Sequence, residues 1–111
     1  MIENKVKTKW QKKEIVLNSF LSIPNTFTAE IMSEQGYDAL TIDYQHGMIG
    51  FSDLFTMLQS IRNSGVTPIC RVSGLDHAVI SKVMDAGALG IICPVSYTHL
   101  TLPTSRWGLV S

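Results

Sequence analysis

Short apolar runs alternate along the chain with segments of helical period that end at a glycine. The first run spans 15–23, and the segment after it places Ala29, Ile31 and Met32 near one face before Gly36. A glycine directly after the last apolar position is typical of a helix C-terminus. The pattern therefore predicts a strand followed by a helix.

The same unit occurs twice more. Strands are predicted at 39–43 and 67–72, and each is followed by an amphipathic helix, for which Ser52 and Asp76 are the expected N-caps. The expected buried stripes are Leu54, Phe55, Met57, Leu58 and Ile61 before Gly65, and Val79, Ile80, Val83 and Met84 before Gly87. A fourth apolar run spans 90–94.

This alternation predicts right-handed βαβ units and a parallel sheet of four strands that is covered on both faces. The period of two along a strand turns Leu40 and Ile42 towards the helices and Thr41 and Asp43 to the other face. Arg71 lies near the end of the next strand, on the same face as Asp43. Since α/β sheets and β/α barrels bind ligands at the carboxyl ends of parallel strands, we expect a site there.

Composition narrows the class of protein. The 111 residues suffice for one ordinary domain, and 45% apolar with 16% charged residues is typical of a globular chain. The formal net charge is zero, so no overall field would attract nucleic acid or a membrane surface. The basic cluster Lys5, Lys7, Lys9, Lys12 and Lys13 is interpreted as a solvated helix face.

Two further features indicate a cytoplasmic protein. Cys70 and Cys93 have no CxxC spacing, which favours reduced thiols. The run 15–23 is too short to span a bilayer and lacks a signal-peptide cleavage site.

The segment after the run 15–23 contains neither a GxGxxG nor a Walker sequence, which disfavours a nucleotide-binding fold.

Asp43 and His46 are the first candidates for chemistry. A carboxylate that fixes the tautomer of an imidazole and raises its basicity makes a general base near neutral pH. The alternatives are that Asp43 caps a turn and that His46 is an ordinary loop residue.

Arg71 adds a third candidate. Its guanidinium can bind the carboxylate of a substrate in bidentate fashion, or it can form a structural ion pair with Asp43. The residues alone leave both interpretations open.

Three stretches together resemble the N-terminal part of the HpcH/HpaI aldolases, class II pyruvate aldolases on a (β/α)8 barrel. They are "SIPNTFTAEIMSEQGYDALTIDYQHG", "TPICRVSG" and "VMDAGALGIICP", within about residues 14–94. The resemblance implies an α/β fold, the N-terminal half of a TIM barrel truncated after the fourth strand. The chain departs from the family at Gln45, where many members have Glu, and at Ser73, where Pro is common.

The resemblance also implies roles for the three candidates. His46 would act as acid or base with Asp43, and Arg71 would bind the 2-oxo acid and its enolate. The parent protein would use Mg²⁺ or Mn²⁺, take pyruvate or another 2-oxo acid with an aldehyde as substrates, and assemble as a homo-oligomer. The metal ligands of the family, a Glu and an Asp of later strands, are expected to lie beyond the truncation.

The tail from 95 to 111 is expected to lie outside the family. "VSYTHLTLPT" resembles the translation of a sequencing adaptor, so 1–94 is predicted to be a partial barrel and His99 to have no role. A barrel takes roughly 250 residues. We therefore expect a fragment without aldolase activity, with unpaired edges on its first and fourth strands and an uncovered inner face. Such a piece should be marginally stable, aggregation-prone or dimeric.

Two other functions remain open. The chain could be a small non-catalytic α/β module in which Asp43 and Arg71 pair for stability. It could also be part of a citrate-lyase-type barrel lyase that acts on CoA esters.

Overall fold

The computed structural model describes residues 4–45 and 48–93, together with the backbone of 108–110. Helices and strands alternate through these residues. The helices are α1 (Lys5–Gln11), α2 (Thr26–Ser33), α3 (Phe51–Ile61) and α4 (His77–Asp85). The strands are β1 (Asn18–Leu21), β2 (Ala39–Asp43), β3 (Thr67–Arg71), β4 (Gly90–Ile92) and β5 (Gly108–Val110).

The strands form one parallel sheet in the order β1-β2-β3-β4-β5. The predicted parallel sheet is confirmed. The expectation that the fourth strand has an unpaired edge is wrong, because β5 pairs with β4 through Gly90 opposite Gly108 and Ile92 opposite Val110. β1 lies at the other edge of the described sheet.

Polar groups fix the starts of the helices. Asp76 is the N-cap of α4, as predicted, and accepts hydrogen bonds from the backbone of Ala78 and Val79. The predicted cap Ser52 is wrong. α3 begins after Gly50, whose backbone N–H donates to Asp53 Oδ2 over 3.2 Å, and Ser52 lies inside the first turn. Asp53, at the third helical position, thus satisfies the N–H of the N-cap residue, which is one half of a capping box, and no side chain caps the first turn.

The main core lies between the sheet and α2, α3 and α4. Leu40, Ile42, Cys70 and Ile91 are fully buried there, on the strand face that the period of two predicts. The helical stripes are largely confirmed, with two exceptions. Phe55, predicted to be buried, is 40% exposed, and Ile31, expected near the same helical face as Ala29 and Met32, is 45% exposed. The other predicted stripe residues are buried or packed against this core: Ala29, Met32, Leu54, Met57, Leu58, Ile61, Val79, Ile80, Val83 and Met84.

α1 packs against the inner face of the sheet, which is the face away from α2, α3 and α4. Its buried residue Val6 contacts Ala39 and Ile69 in a second, smaller core. The expectation that nothing covers the inner face is therefore wrong at the end where β2 and β3 begin. The interpretation of the basic cluster as a solvated helix face does not hold for Lys9, because its ammonium group pairs with Asp38.

Two polar contacts hold α1 at the amino ends of the strands. Asn4 Nδ2 donates to the carbonyl of Leu89, just before β4, over 3.1 Å. Lys9 Nζ lies 2.6 Å from Asp38 Oδ1, just before β2, and Asp38 Oδ2 accepts from the backbone N–H of Leu17. These two hydrogen bonds lower the pKa of Asp38, that from Leu17 more strongly. Within the described residues, no helix is long and apolar enough to cross a membrane.

Candidate functional site

Two charged side chains meet at the carboxyl ends of β2 and β3. Asp43 and Arg71 are the last residues of these strands and lie opposite each other in the parallel register. Both fall in the same alternate row as Thr41 and Ile69, so they project from the inner face. α1 covers the opposite end of this face, and the ion pair is left at the end where parallel sheets bind ligands.

The two side chains form a bidentate ion pair. Arg71 Nε donates to Asp43 Oδ1 over 3.1 Å, and Arg71 Nη2 donates to Asp43 Oδ2 at close range. Asp43 is 9% exposed, and the backbone N–H of Gln45 also donates to its Oδ1. The hydrogen bonds that Arg71 donates to Asp43 raise the pKa of Arg71, which keeps the guanidinium charged at every accessible pH.

Phe20 is a member of this cluster that the sequence pattern did not indicate. Its ring lies under the guanidinium of Arg71, with the Cζ atom 5.1 Å from the ring centroid. This distance is within the range of cation–π contacts. Phe20 lies opposite Thr41 on β2, and Thr41 lies opposite Ile69 on β3. The signal that could have identified Phe20 is this register, which no single strand reveals.

His46 lies outside the described residues, and so do Pro94 and His99. The pairing of His46 with Asp43 stays a prediction. The structure thus brings together two of the three predicted site residues, Asp43 and Arg71. The two side chains are in direct contact, as they would also be if Arg71 served only to form a structural ion pair with Asp43.

The described residues do not fit a complete divalent-metal site. They contain no group of three His, Cys, Asp or Glu side chains placed to hold an ion. Both oxygens of Asp43 already accept hydrogen bonds from Arg71.

The two thiols do not belong to the site. Cys70 lies on the opposite face of β3 from Arg71 and is fully buried. Burial, with a smaller contribution from the charge of Asp43, raises the pKa of Cys70 to about 12. Burial also raises the pKa of Cys93. Neither thiol is present as a nucleophilic thiolate near neutral pH.

Similar proteins share both sequence and fold with this chain, although no protein-family model matches it. A hydroxypyruvate/pyruvate aldolase of Rhizorhabdus wittichii is 39% identical over 91% of the chain. The solved structure of the citrate synthase SbnG is 31% identical over 85% of the chain, with a TM-score of 0.77. An HpcH/HpaI aldolase/citrate lyase family protein of Burkholderia cenocepacia is 26% identical over 85%, with a TM-score of 0.76.

The matches cover only part of each relative. The chain spans 40% of the length of the Rhizorhabdus aldolase and 38% of each of the two solved structures. A parallel sheet with alternating helices that matches this share of longer chains confirms the predicted fold, the N-terminal half of a β/α barrel.

Proposed function

Because this chain belongs to the HpcH/HpaI aldolase family, we propose that it supplies the 2-oxo-acid-binding residues of a divalent-metal-dependent aldolase. The proposed reaction is the formation or cleavage of a 4-hydroxy-2-oxo acid through the enolate of pyruvate. The observation that carries the proposal is the bidentate pair of Asp43 and Arg71 at the carboxyl ends of β2 and β3.

Arg71 has the donors that a 2-oxo acid needs. A guanidinium carries five N–H groups, and Asp43 accepts from two of them, Nε and Nη2. The remaining three have no hydrogen-bond partner among the described residues. One N–H on Nη1 and one on Nη2 point along parallel directions, which suits the two oxygens of a carboxylate. In the proposed complex the same cation also stabilises the negative charge that develops on the enolate oxygen.

Asp43 limits how Arg71 can move. A carboxylate that holds the Nε edge leaves the second edge in a fixed direction, so the substrate meets a preorganised donor pair. We propose in addition that His46, three residues after Asp43, transfers the proton between the pyruvate methyl group and solvent. An imidazole titrates near neutral pH and is suited to this transfer.

The proposal extends to the location, assembly, substrates and metal ion of the whole protein. It would act in the cytoplasm as a homo-oligomer on a 2-oxo acid and an aldehyde, and it would use Mg²⁺ or Mn²⁺. Such an ion supplies a Lewis acid that acidifies the methyl protons of pyruvate. Because the described residues lack a complete ligand set, carboxylates other than Asp43 would have to bind it.

Exchange of the pyruvate methyl protons for deuterium tests the proposal. The 111-residue chain is expected to show no aldolase turnover, and exchange is expected from a longer aldolase that contains these residues. In that protein, His46→Ala should abolish exchange and Arg71→Lys should raise the pyruvate concentration needed for half-maximal exchange. Thr56→Ala, on an exposed position of α3, is the matched control. Exchange that is unchanged in His46→Ala would contradict the role of His46.

A second candidate function is a lyase or synthase that acts on CoA esters. The observation that favours it is the match to a solved citrate synthase and to a family protein named for both aldolase and citrate lyase. The two functions differ in the carbon nucleophile, which is derived from pyruvate in the aldolase and involves a CoA ester in the alternative. An aldolase of the proposed kind exchanges the methyl protons of pyruvate, whereas the alternative predicts dependence on a CoA ester and no exchange with pyruvate alone.

A further inference from the structure

A half-exposed phenylalanine at the carboxyl ends of the strands calls for a physical explanation. Phe20 is 45% exposed and belongs to neither of the two hydrophobic cores. Its neighbour Leu21 is buried and accounts for the attachment of β1 to the main core. Phe20 therefore lies outside both cores, and a close partner of its ring is the cation of Arg71.

The register explains how a residue of β1 reaches a residue of β3. Phe20, Thr41 and Ile69 lie in one row across the three strands, and Arg71 lies two residues further along β3 on the same face. The ring must therefore cross β2 diagonally to lie against the guanidinium. The aromatic ring and the long side chain of Arg71 together span the two strand spacings, about 10 Å, whereas a short side chain at position 20 could not.

Phe20 and Asp43 constrain different motions of the same group. Asp43 holds the edge of the guanidinium through Nε and Nη2, which fixes its direction within its own plane. The ring of Phe20 lies under Cζ of Arg71, 5.1 Å from its centroid, and offers the cation a second contact that Asp43 does not provide. The combination matters because Arg71 has a long side chain with considerable rotational freedom.

We propose that Phe20 is a positioning residue for Arg71, holding the guanidinium plane so that its Nη1–Nη2 edge faces the carboxylate of a 2-oxo acid. The inference rests on the proposed function for the identity of the ligand, but the contact between ring and cation can be tested without it. The ring itself makes no hydrogen bond and takes no proton. Its contribution is the orientation of the donors on Arg71.

Nuclear magnetic resonance of the 111-residue chain tests the positioning directly. The chain has three arginines, so the Nε–Hε signal of Arg71 is assigned by its loss in Arg71→Lys. In the unsubstituted chain this signal should be displaced by the ring current and should exchange slowly with solvent. Phe20→Leu and Phe20→Met should return it towards the ordinary position, and Phe20→Trp should restore the displacement. Backbone amide spectra show whether each variant is folded.

Titration with pyruvate then tests the consequence for binding. Loss of the ring should weaken pyruvate binding by about three- to fivefold, the effect of one exposed cation–π contact. Phe20→Trp should recover the affinity. Phe55→Leu, which removes a ring of similar exposure on α3, is the matched control and should leave the affinity unchanged.

The outcomes separate the two proposals. An Arg71 signal that is the same in Phe20→Leu, Phe20→Met and the unsubstituted chain would overturn the positioning role. A signal that depends on the ring, in a chain that binds no pyruvate, would support the positioning and contradict the proposed ligand. If Phe20→Leu and Phe55→Leu lose the same affinity for pyruvate, the loss is caused by general destabilisation of the fold. That result would also overturn the inference.

Discussion

Asp43 and Arg71 face each other across neighbouring strands, and the two nitrogen donors of the pair use different oxygens of the same carboxylate. The relationship follows from the register, because parallel strands that end together place their last side chains side by side. Removing either partner of such a pair leaves the other charge partly buried without its counter-ion, which is costly for the fold.

The first prediction concerns the stability of this ion pair. Asp43→Asn should lower the free energy of unfolding by about 2 kcal/mol, because a charged donor loses its acceptor in a partly buried site. Urea denaturation followed by circular dichroism measures the change.

A double-mutant cycle with Arg71→Gln isolates the contact. The double variant should be less destabilised than the sum of the two single variants, because each single change leaves the other partner unsatisfied. Additive losses would mean that the pair has no net coupling.

The second prediction concerns the pH dependence of α1 docking. The pKa of Asp38 is lowered from 3.8, so its contribution is present above that value and is lost as the pH falls through the lower folded value. The pKa of Lys9 is raised from 10.5, so its contribution is present below that value and is lost as the pH rises through the higher folded value. Asp38→Asn should therefore loosen α1 between these limits and have less effect in strong acid.

Trp10 on α1 reports this docking. The chain has two tryptophans, so Trp107→Phe leaves Trp10 as the single emitter. In that background, Asp38→Asn should move the emission of Trp10 to longer wavelength at neutral pH. An identical emission spectrum with and without the carboxylate would show that the Lys9–Asp38 pair does not hold the helix.

The third prediction concerns thiol reactivity. With a pKa of about 12, Cys70 is thiolate in only about one molecule in ten thousand at pH 8, and its sulfur is also buried. A disulfide reagent should modify Cys70 and Cys93 slowly in the native chain and rapidly in denaturant. Rapid native reaction of Cys70→Ala would identify Cys93 as the accessible thiol, and rapid native reaction of Cys93→Ala would contradict the burial of Cys70.

The fourth prediction compares two neighbouring residues of α3. Leu54→Ala should cost about 2–5 kcal/mol of unfolding free energy, because Leu54 is fully buried in the main core. Phe55→Ala should cost markedly less, since its side chain is 40% exposed. Equal losses would show that Phe55 is covered in solution by a partner that the described residues do not include.

Local signals predicted the elements that depend on local chemistry. The bounds of β2 and the capping of α4 by Asp76 agree with the structure, since strand alternation and side-chain caps are encoded within a few residues. The start of α3 was missed because its N-cap is Gly50, which has no side chain to cap the helix, and Asp53 only accepts the backbone N–H of Gly50. A glycine at the N-cap gives a weaker signal in the sequence than a serine at the predicted position.

Features that depend on distant residues were missed. The contact of Phe20 with Arg71 joins positions 20 and 71 through a diagonal across β2, and no pattern in β1 alone contains it. The packing of α1 on Ala39 and Ile69 is equally long-range, and its lysines suggested a solvated helix instead. The pairing of Asp43 with Arg71 could be considered from the sequence, because both residues lie at the ends of strands that were predicted to be neighbours.

The location of α1 determines the route by which small molecules can reach the ion pair. The helix is fastened to the segments that precede β2 and β4, so it obstructs the passage along the inner face from the amino ends of these strands. A small molecule would then approach Asp43 and Arg71 from the carboxyl ends of β2 and β3, so traffic to and from the ion pair is confined to the side on which the two strands end.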